Sequence, residues 1–186
     1  AEGHATHLVR RLADLLLGEG TFLPAPGSVG SPAARDVLVQ EPFVARAMRL
    51  WDELDVALVG IGGQETSGLL ASSGNVFSPA ELRTVREAGG VGDIGLRYLR
   101  GDGQPVDTPL NDRVIGIELE QLRRAPRSIA VAGGPGKTEA IRAALVGGWI
   151  SCLITDTYTA ERLLEGDSAR DKTKTVEEER MGAGVA

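Results

Sequence analysis

The stretch SIAVAGGPGKTEAIRAALVGGWISCLITD, Ser128 to Asp156, holds the reading on which the fold turns. It opens with an apolar run, SIAVA (Ser128–Ala132), and breaks at a tight glycine-rich turn, Gly133 to Gly136. Thr138 to Val146 then reads as a helix with Ile141, Ala144 and Leu145 inward. Trp149 to Asp156 is a second apolar strand, and Thr157 to Leu164 a last helix. Strand, glycine turn, helix and strand in succession argue for an α/β layer fold with a largely parallel sheet. In such sheets ligands sit outside the carboxyl ends of the strands. Attention therefore falls on the loops after Gly60, Val91, Ala132 and Thr155.

The same alternation extends upstream. DVALVGIG, Asp55 to Gly62, is a short continuous apolar strand ending in glycine, the pattern of a parallel strand covered on both faces. His4 to Leu17 carries Leu8, Leu12, Leu15 and Leu16 as a helical stripe, stopped by Gly18 and Gly20. Thr21 to Ala25 is a short extended run. Ser31-Pro32 and Ser78-Pro79 each begin a helix, with a capping hydroxyl followed by proline at the first helical position. Another helix spans roughly Pro42 to Leu50. Between Gly63 and Phe77 the chain reads as a loop. Val91 to Leu99 reads as a strand followed by a turn at Gly101-Asp102-Gly103, and Val114 to Ile117 as a short apolar strand. Glu118 to Arg124 forms one or two helical turns closed by Pro126.

Length and composition set the outer limits. At 186 residues, 42% hydrophobic and 25% charged, the chain suffices for one domain with a proper core. No apolar run approaches the roughly 18 residues of a membrane span, and no leading segment reads as a signal peptide. One cysteine, Cys152, excludes an internal disulfide framework and fits a reducing, cytoplasmic compartment. A net charge of −6 and 4% aromatics leave neither a basic stripe nor a stacking surface for nucleic acid. Gly166 to Ala186 alternates charges and has few large apolar side chains. It reads as a flexible tail or a helix needing outside support.

Lysine usage is the most informative count. The chain has three lysines against 17 arginines, and Lys172 and Lys174 lie in the tail. Lys137 is thus the one lysine of the expected folded body, placed where a glycine turn meets a helix start. A cation there opposes the helix dipole, by a few tenths to about 1 kcal/mol. The backbone amides at that terminus favour an anion instead. A phosphate or carboxylate held between the amides and the ammonium reverses the sign of the local electrostatics, whereas a solvated lysine pointing away is the ordinary alternative. Asp93, between glycines in AGGVGDIG, can approach a ligand closely and accept bonds from sugar hydroxyls, or it can simply bond its own turn. The glycines at 60, 62 and 63 let backbone amides reach a ligand, and Ser72-Ser73-Gly74-Asn75 offers hydroxyls and an amide, as generic loops also do.

Other motifs carry less. Gly136-Lys137-Thr138 ends like the phosphate loop of nucleotide hydrolases, and CLITD imitates their magnesium-binding strand. Val131, however, stands where that pattern needs its first glycine. Asp112-Arg113 is either an anion clamp or a stabilising ion pair. His4 and His7 share a helix face without a third ligand nearby, so no metal is expected. Both histidines fall in the first seven residues, which leaves no Ser–His–Asp set and no catalytic residue to name. Cys152, inside an apolar strand, reads as a small buried hydrophobe. No cofactor is expected.

The runs LPAPGSVGSPAARDVL (Leu23–Leu38), LDVALVGIG (Leu54–Gly62), GGVGDIG (Gly89–Gly95), LNDRVIGIELEQLRRAPRSIAVAGGPGK (Leu110–Lys137) and ITDTYTAERLL (Ile154–Leu164) together resemble the effector-binding domain of SorC-type sugar-responsive bacterial transcriptional regulators, relatives of the deoxyribonucleoside regulators. The resemblance spans about Thr6 to Leu164 in the family's order. It implies a three-layer α/β domain similar to ribose-5-phosphate isomerase and glucosamine-6-phosphate deaminase. It also implies a phosphorylated sugar as effector, homo-oligomers, and operator DNA bound by a separate helix-turn-helix domain. On this resemblance Asp93 and Lys137 face the ligand, and Gly62, the Ser73 loop, Gly133 and Gly134 line the same cleft. Two departures stand out: the chain is expected to begin inside the effector domain, lacking the DNA-binding domain, the family's first strand and its glycine/threonine-rich phosphate loop.

The expectation is therefore a sugar-phosphate effector-binding domain over residues 1–165, followed by the charged tail. Binding would alter DNA affinity by favouring one oligomeric arrangement. A sugar-phosphate isomerase of the same fold is the enzymatic alternative, with Asp93 moving a proton and Lys137 stabilising an enediolate. A domain that has lost its ligand is the third.

Overall fold

The computed structural model describes residues 2–64 and 77–166, with side chains in the first helix from residue 6 onward. Its elements in chain order are α1 (Glu2–Leu16), α2 (Pro32–Gln40), α3 (Pro42–Arg49), β1 (Val56–Gly60), α4 (Pro79–Glu87), β2 (Gly90–Ile94), β3 (Arg97–Arg100), α5 (Leu119–Arg124), β4 (Arg127–Val131), α6 (Thr138–Val146), β5 (Cys152–Ile154) and α7 over 157–166. Short 3-10 turns cover Leu50–Glu53, Pro109–Arg113 and Pro135–Lys137. The Ser73 loop and the tail beyond residue 166 lie outside the described residues.

The fold is α/β with a mostly parallel sheet. β4 sits in the middle, with β1 and β5 parallel on either side in the order β1-β4-β5. Leu58 stands opposite Ile129, and Ala130 opposite Leu153. Small residues let the layers approach. Ala57, Ala130 and Ala132 from the strands join Ala140, Ile141, Ala143 and Ala144 of α6 in one buried cluster. Leu145, expected inward, is exposed instead. The helix turns its alanine-rich side to the core, so Ala140 and Ala143 take the places that the longer side chain was expected to share.

The other face of the sheet is open among the described residues. Val56, Leu58, Val131 and Ile154 are each exposed by half or more. DVALVGIG is therefore covered on one face, not two. Cys152 lies on this open face and is exposed, which corrects its reading as a buried hydrophobe. Period 2 places it in line with Ile154. α1 forms as its leucine stripe predicts, yet Leu8, Leu12, Leu15 and Leu16 are exposed.

Local chemistry explains the helix starts. Ser31 accepts the Ala34 N–H at 3.2 Å, with Pro32 in the first turn. Ser78 and Glu81 form a reciprocal capping box, the Ser78 N–H bonding Glu81 Oε2 at 2.7 Å. Two expected strands differ. Val91 to Leu99 is not one strand but a hairpin, β2 and β3, antiparallel and reversed at Gly95-Leu96. Both turn residues have positive φ, 58° and 67°, the geometry of a two-residue hairpin turn. Val114 to Ile117 makes only a single antiparallel bridge, Val114 with Ser28. The strand expected over Trp149–Asp156 contracts to Cys152–Ile154. Trp149 is buried just before it and donates Nε1–H to the Gly103 carbonyl at 2.7 Å, with the Arg123 guanidinium 3.8 Å from the Trp149 ring centroid.

Candidate functional site

Glycine continues β1 toward its neighbours. Beyond Gly60, Gly62 donates its N–H to the Asp93 carbonyl at 2.9 Å, and Asp93 donates its own to the Gly62 carbonyl at 3.1 Å. This bridge ties the hairpin to the carboxyl end of the parallel sheet. It works because Gly62 has no side chain: a Cβ there would collide with the Asp93 carboxylate. Gly92 is likewise pressed against the Gly62 carbonyl and Ala140 of α6. Gly63 lies against the next turn, with the Gly136 carbonyl oxygen 2.6 Å and Lys137 Cγ 3.5 Å from where its Cβ would stand. Three segments distant in sequence thus place Gly62, Asp93 and Lys137 together at the rim of the sheet.

Asp93 is half-buried. Burial pushes its carboxyl above the usual carboxylate range, while the Leu96 N–H, 2.9 Å from Oδ2, and the positive charge of Lys137 pull it back. The same bond fixes Leu96 in its left-handed conformation, so one carboxylate both closes the hairpin turn and faces the lysine. Tyr98 stands opposite Asp93 across the hairpin. Burial and the Asp93 charge push its phenol above its ordinary value. The residue was not singled out from the sequence; its cross-strand position becomes visible only once Val91–Leu99 is seen to be a hairpin.

Lys137 ends the 3-10 turn that follows β4 and precedes α6. Its N–H closes that turn on the Gly134 carbonyl at 3.1 Å. Gly133 and Gly134 stand farther along the same turn, but their surroundings are different. The Gly134 N–H donates to Asp156 Oδ2 at 3.1 Å and to Thr159 Oγ1 at 2.8 Å. A Cβ on Gly133 would strike the Asp156 carboxylate. The Gly134 amide is therefore already engaged, and an anion beside it would meet the negative charge of Asp156. The arrangement leaves the Lys137 ammonium and the first turn of α6 as the electropositive part of the rim. Asp156 is held below the usual carboxylate range, first by the Thr159 N–H and then by its hydroxyl. In the sequence it belonged to an imitation of a magnesium strand; in the structure it caps α7.

A second polar region lies elsewhere. A cavity of about 350 Å³ is lined by Pro32, Arg35, Asp36, Arg97, Asn111, Asp112 and Glu118. Its guanidiniums are committed: Arg97 pairs with Glu118 and donates to the Asn111 carbonyl, and Arg35 donates to the Val114 carbonyl. Arg113 pairs not with Asp112 but with Glu81, donates to the Val29 carbonyl at 2.7 Å, and stacks over Phe77. That arginine is a clasp between segments, not an anion clamp. Among the described residues no helix is long and apolar enough to cross a membrane.

Comparison with known proteins follows the same lines. The model of a family described as a putative sugar-binding domain matches residues 1–165. The transcriptional regulator LsrR of Klebsiella pneumoniae is 35% identical over 147 residues, which is 77% of this chain and 45% of that protein. The deoxyribonucleoside regulator of Bacillus subtilis is 31% identical over 143 residues, with the same shares covered. The crystal structure of the full-length sorbitol operon regulator SorC from Klebsiella pneumoniae superposes with a TM-score of 0.75 at 34% identity, over 82% of this chain and 49% of that one. The chain spans about half the length of the curated relatives it matches.

Proposed function

Because this chain belongs to the family of sugar-binding domains found in SorC- and LsrR-type transcriptional regulators, we propose that it senses a phosphorylated sugar and passes the signal to operator DNA through a separate domain. The observation that carries the reading is the convergence of Asp93, Lys137 and Gly62 at the carboxyl ends of β1 and β4. Lys137 and the first amides of α6 hold the anionic group. Asp93 accepts hydroxyl hydrogens from the sugar. Gly62 and Gly63 keep the floor low enough for the ring to approach. Ser73 closes the same cleft in this reading, and Gly133 and Gly134 shape the turn that carries Lys137. The chain acts in the cytoplasm as a homo-oligomer, and the ligand works by binding one arrangement of subunits more tightly than another.

The reading is of a binder, not a catalyst. The titratable partners placed around Asp93 are Lys137 and Tyr98, and the Tyr98 phenol is shifted away from neutrality, which suits hydrogen bonding more than proton exchange. Calorimetric titration of the chain with ribose 5-phosphate, glucose 6-phosphate, fructose 6-phosphate and the unphosphorylated sugars tests it. At least one phosphorylated sugar is expected to bind, its free sugar to bind far more weakly, and Lys137→Met to lose about tenfold or more in affinity, the loss expected for a charge-assisted contact. No heat from any phosphorylated sugar, unchanged binding in Lys137→Met, or isomerase turnover in a coupled assay would overturn it.

A further inference from the structure

The turn that presents Lys137 has little structure of its own. Gly133-Gly134-Pro135-Gly136 contains three glycines, Gly134 has a φ of 99°, and a single 3-10 bond closes it. What holds it is the start of α7. Asp156 caps that helix, its Oδ1 accepting the Thr159 N–H at 2.9 Å and its Oδ2 accepting the Thr159 hydroxyl at 2.8 Å. The same Oδ2 and the same hydroxyl oxygen both accept the Gly134 N–H. Thr159 has no exposed surface, so this clasp is shielded from competing water. Gly133 is pinned beside it, because only a residue without a Cβ fits against the Asp156 carboxylate.

We infer that Asp156 and Thr159 are the positioning residues of the site: their shared grip on Gly134 sets the turn so that Lys137 faces Asp93. The two act through the turn and do not touch the ligand. The inference rests on the ligand role proposed for Lys137, but its first readout needs no ligand. Each clasp atom serves two partners, so removing one loosens the helix cap and the turn together.

Three variants separate the possibilities. Thr159→Val keeps the shape and removes the hydroxyl, Thr159→Ser restores the hydroxyl, and Asp156→Asn weakens the carboxylate's share. The first readout is the titration midpoint of the Asp93 carboxyl, followed by carbon NMR in the ligand-free chain. The charge of Lys137 lowers that midpoint, so a lysine released from its place lets it rise. The midpoint is expected to rise in Thr159→Val and in Asp156→Asn and to stay at the wild-type value in Thr159→Ser. The Asp156→Asn arm carries its own control of sign, since merely deleting a nearby negative charge would lower the midpoint. The second readout is affinity for ribose 5-phosphate, expected to fall about tenfold in Thr159→Val and to remain within about twofold in Thr159→Ser.

An unmoved Asp93 midpoint in both Thr159→Val and Asp156→Asn overturns the inference. So does full ribose 5-phosphate affinity in Thr159→Val. A midpoint that moves as expected in a chain whose wild type ignores every sugar phosphate upholds the positioning role and removes the proposed ligand instead. Should Thr159→Val fail to fold, Asp156→Asn carries the same comparison.

Discussion

At Asp93, burial raises the carboxyl pKa, and the Leu96 N–H and the Lys137 charge offset only part of that rise. The folded state consequently holds this proton more tightly than the unfolded chain does. The group's contribution to stability is fully present below the unfolded value and is lost as pH rises through the folded one. At neutral pH the charged carboxylate destabilises the fold, a cost that a ligand-binding acid repays in function. Asp93→Asn is expected to raise the melting temperature by about 2–4 °C for each kcal/mol recovered, while abolishing sugar-phosphate binding. Calorimetry on the variant checks both, and a lower melting temperature would contradict the account. Glu81 works in the opposite direction. The Ser78 N–H and the Arg113 guanidinium hold it down to about 2, so its contribution is present above the ordinary glutamate value of 4.5 and is lost as pH falls toward about 2. Thermal melts of wild type and Glu81→Gln should converge between those two pH values and diverge above them.

Elements differ in how plainly their sequence announces them. Ser31-Pro32 and Ser78-Pro79 are local signals, and the caps form where they stand because cap, proline and first turn lie within four residues. The hairpin was hidden because Leu96 has no intrinsic preference for φ above zero; the bond from its N–H to the Asp93 carboxylate imposes it. Rare residue types made Asp93 and Lys137 legible one at a time, whereas their meeting depends on glycines at 62 and 63 that the sequence shows only as loop. The clasp on Gly134 was illegible for a similar reason, its acceptors lying 22 and 25 residues away. Trp149 shows the same kind of long-range tie in the core. Trp149→Phe leaves the Gly103 carbonyl without its buried donor and is expected to cost about 1–3 kcal/mol in urea unfolding. A change below about 0.5 kcal/mol would mean that the bond does not hold the hairpin loop against α6.

For the whole molecule, the sheet has one closed and one open side among the described residues. Small alanines seal the first; Val56, Leu58, Val131 and Ile154 stand out on the second. This asymmetry is what single-sequence reading misses, since an apolar strand looks the same whether one face or two are covered. Leu58→Thr together with Val131→Thr is expected to reduce binding of the dye ANS while leaving the melting temperature within about 2 °C, since exposed side chains contribute little to folding. A large fall in melting temperature would show the face to be packed. The site at the rim depends on the closed side alone, where β1, the hairpin and α6 are held together by the Gly62–Asp93 bridge. The most direct test is a proton–nitrogen NMR titration of the labelled chain with ribose 5-phosphate and the other sugar phosphates. The account predicts that the amides of Gly62, Gly63, Asp93, Gly136 and Lys137 shift together along one binding curve. Shifts centred on Arg35, Arg97 and Glu118, with the rim unmoved, would contradict it.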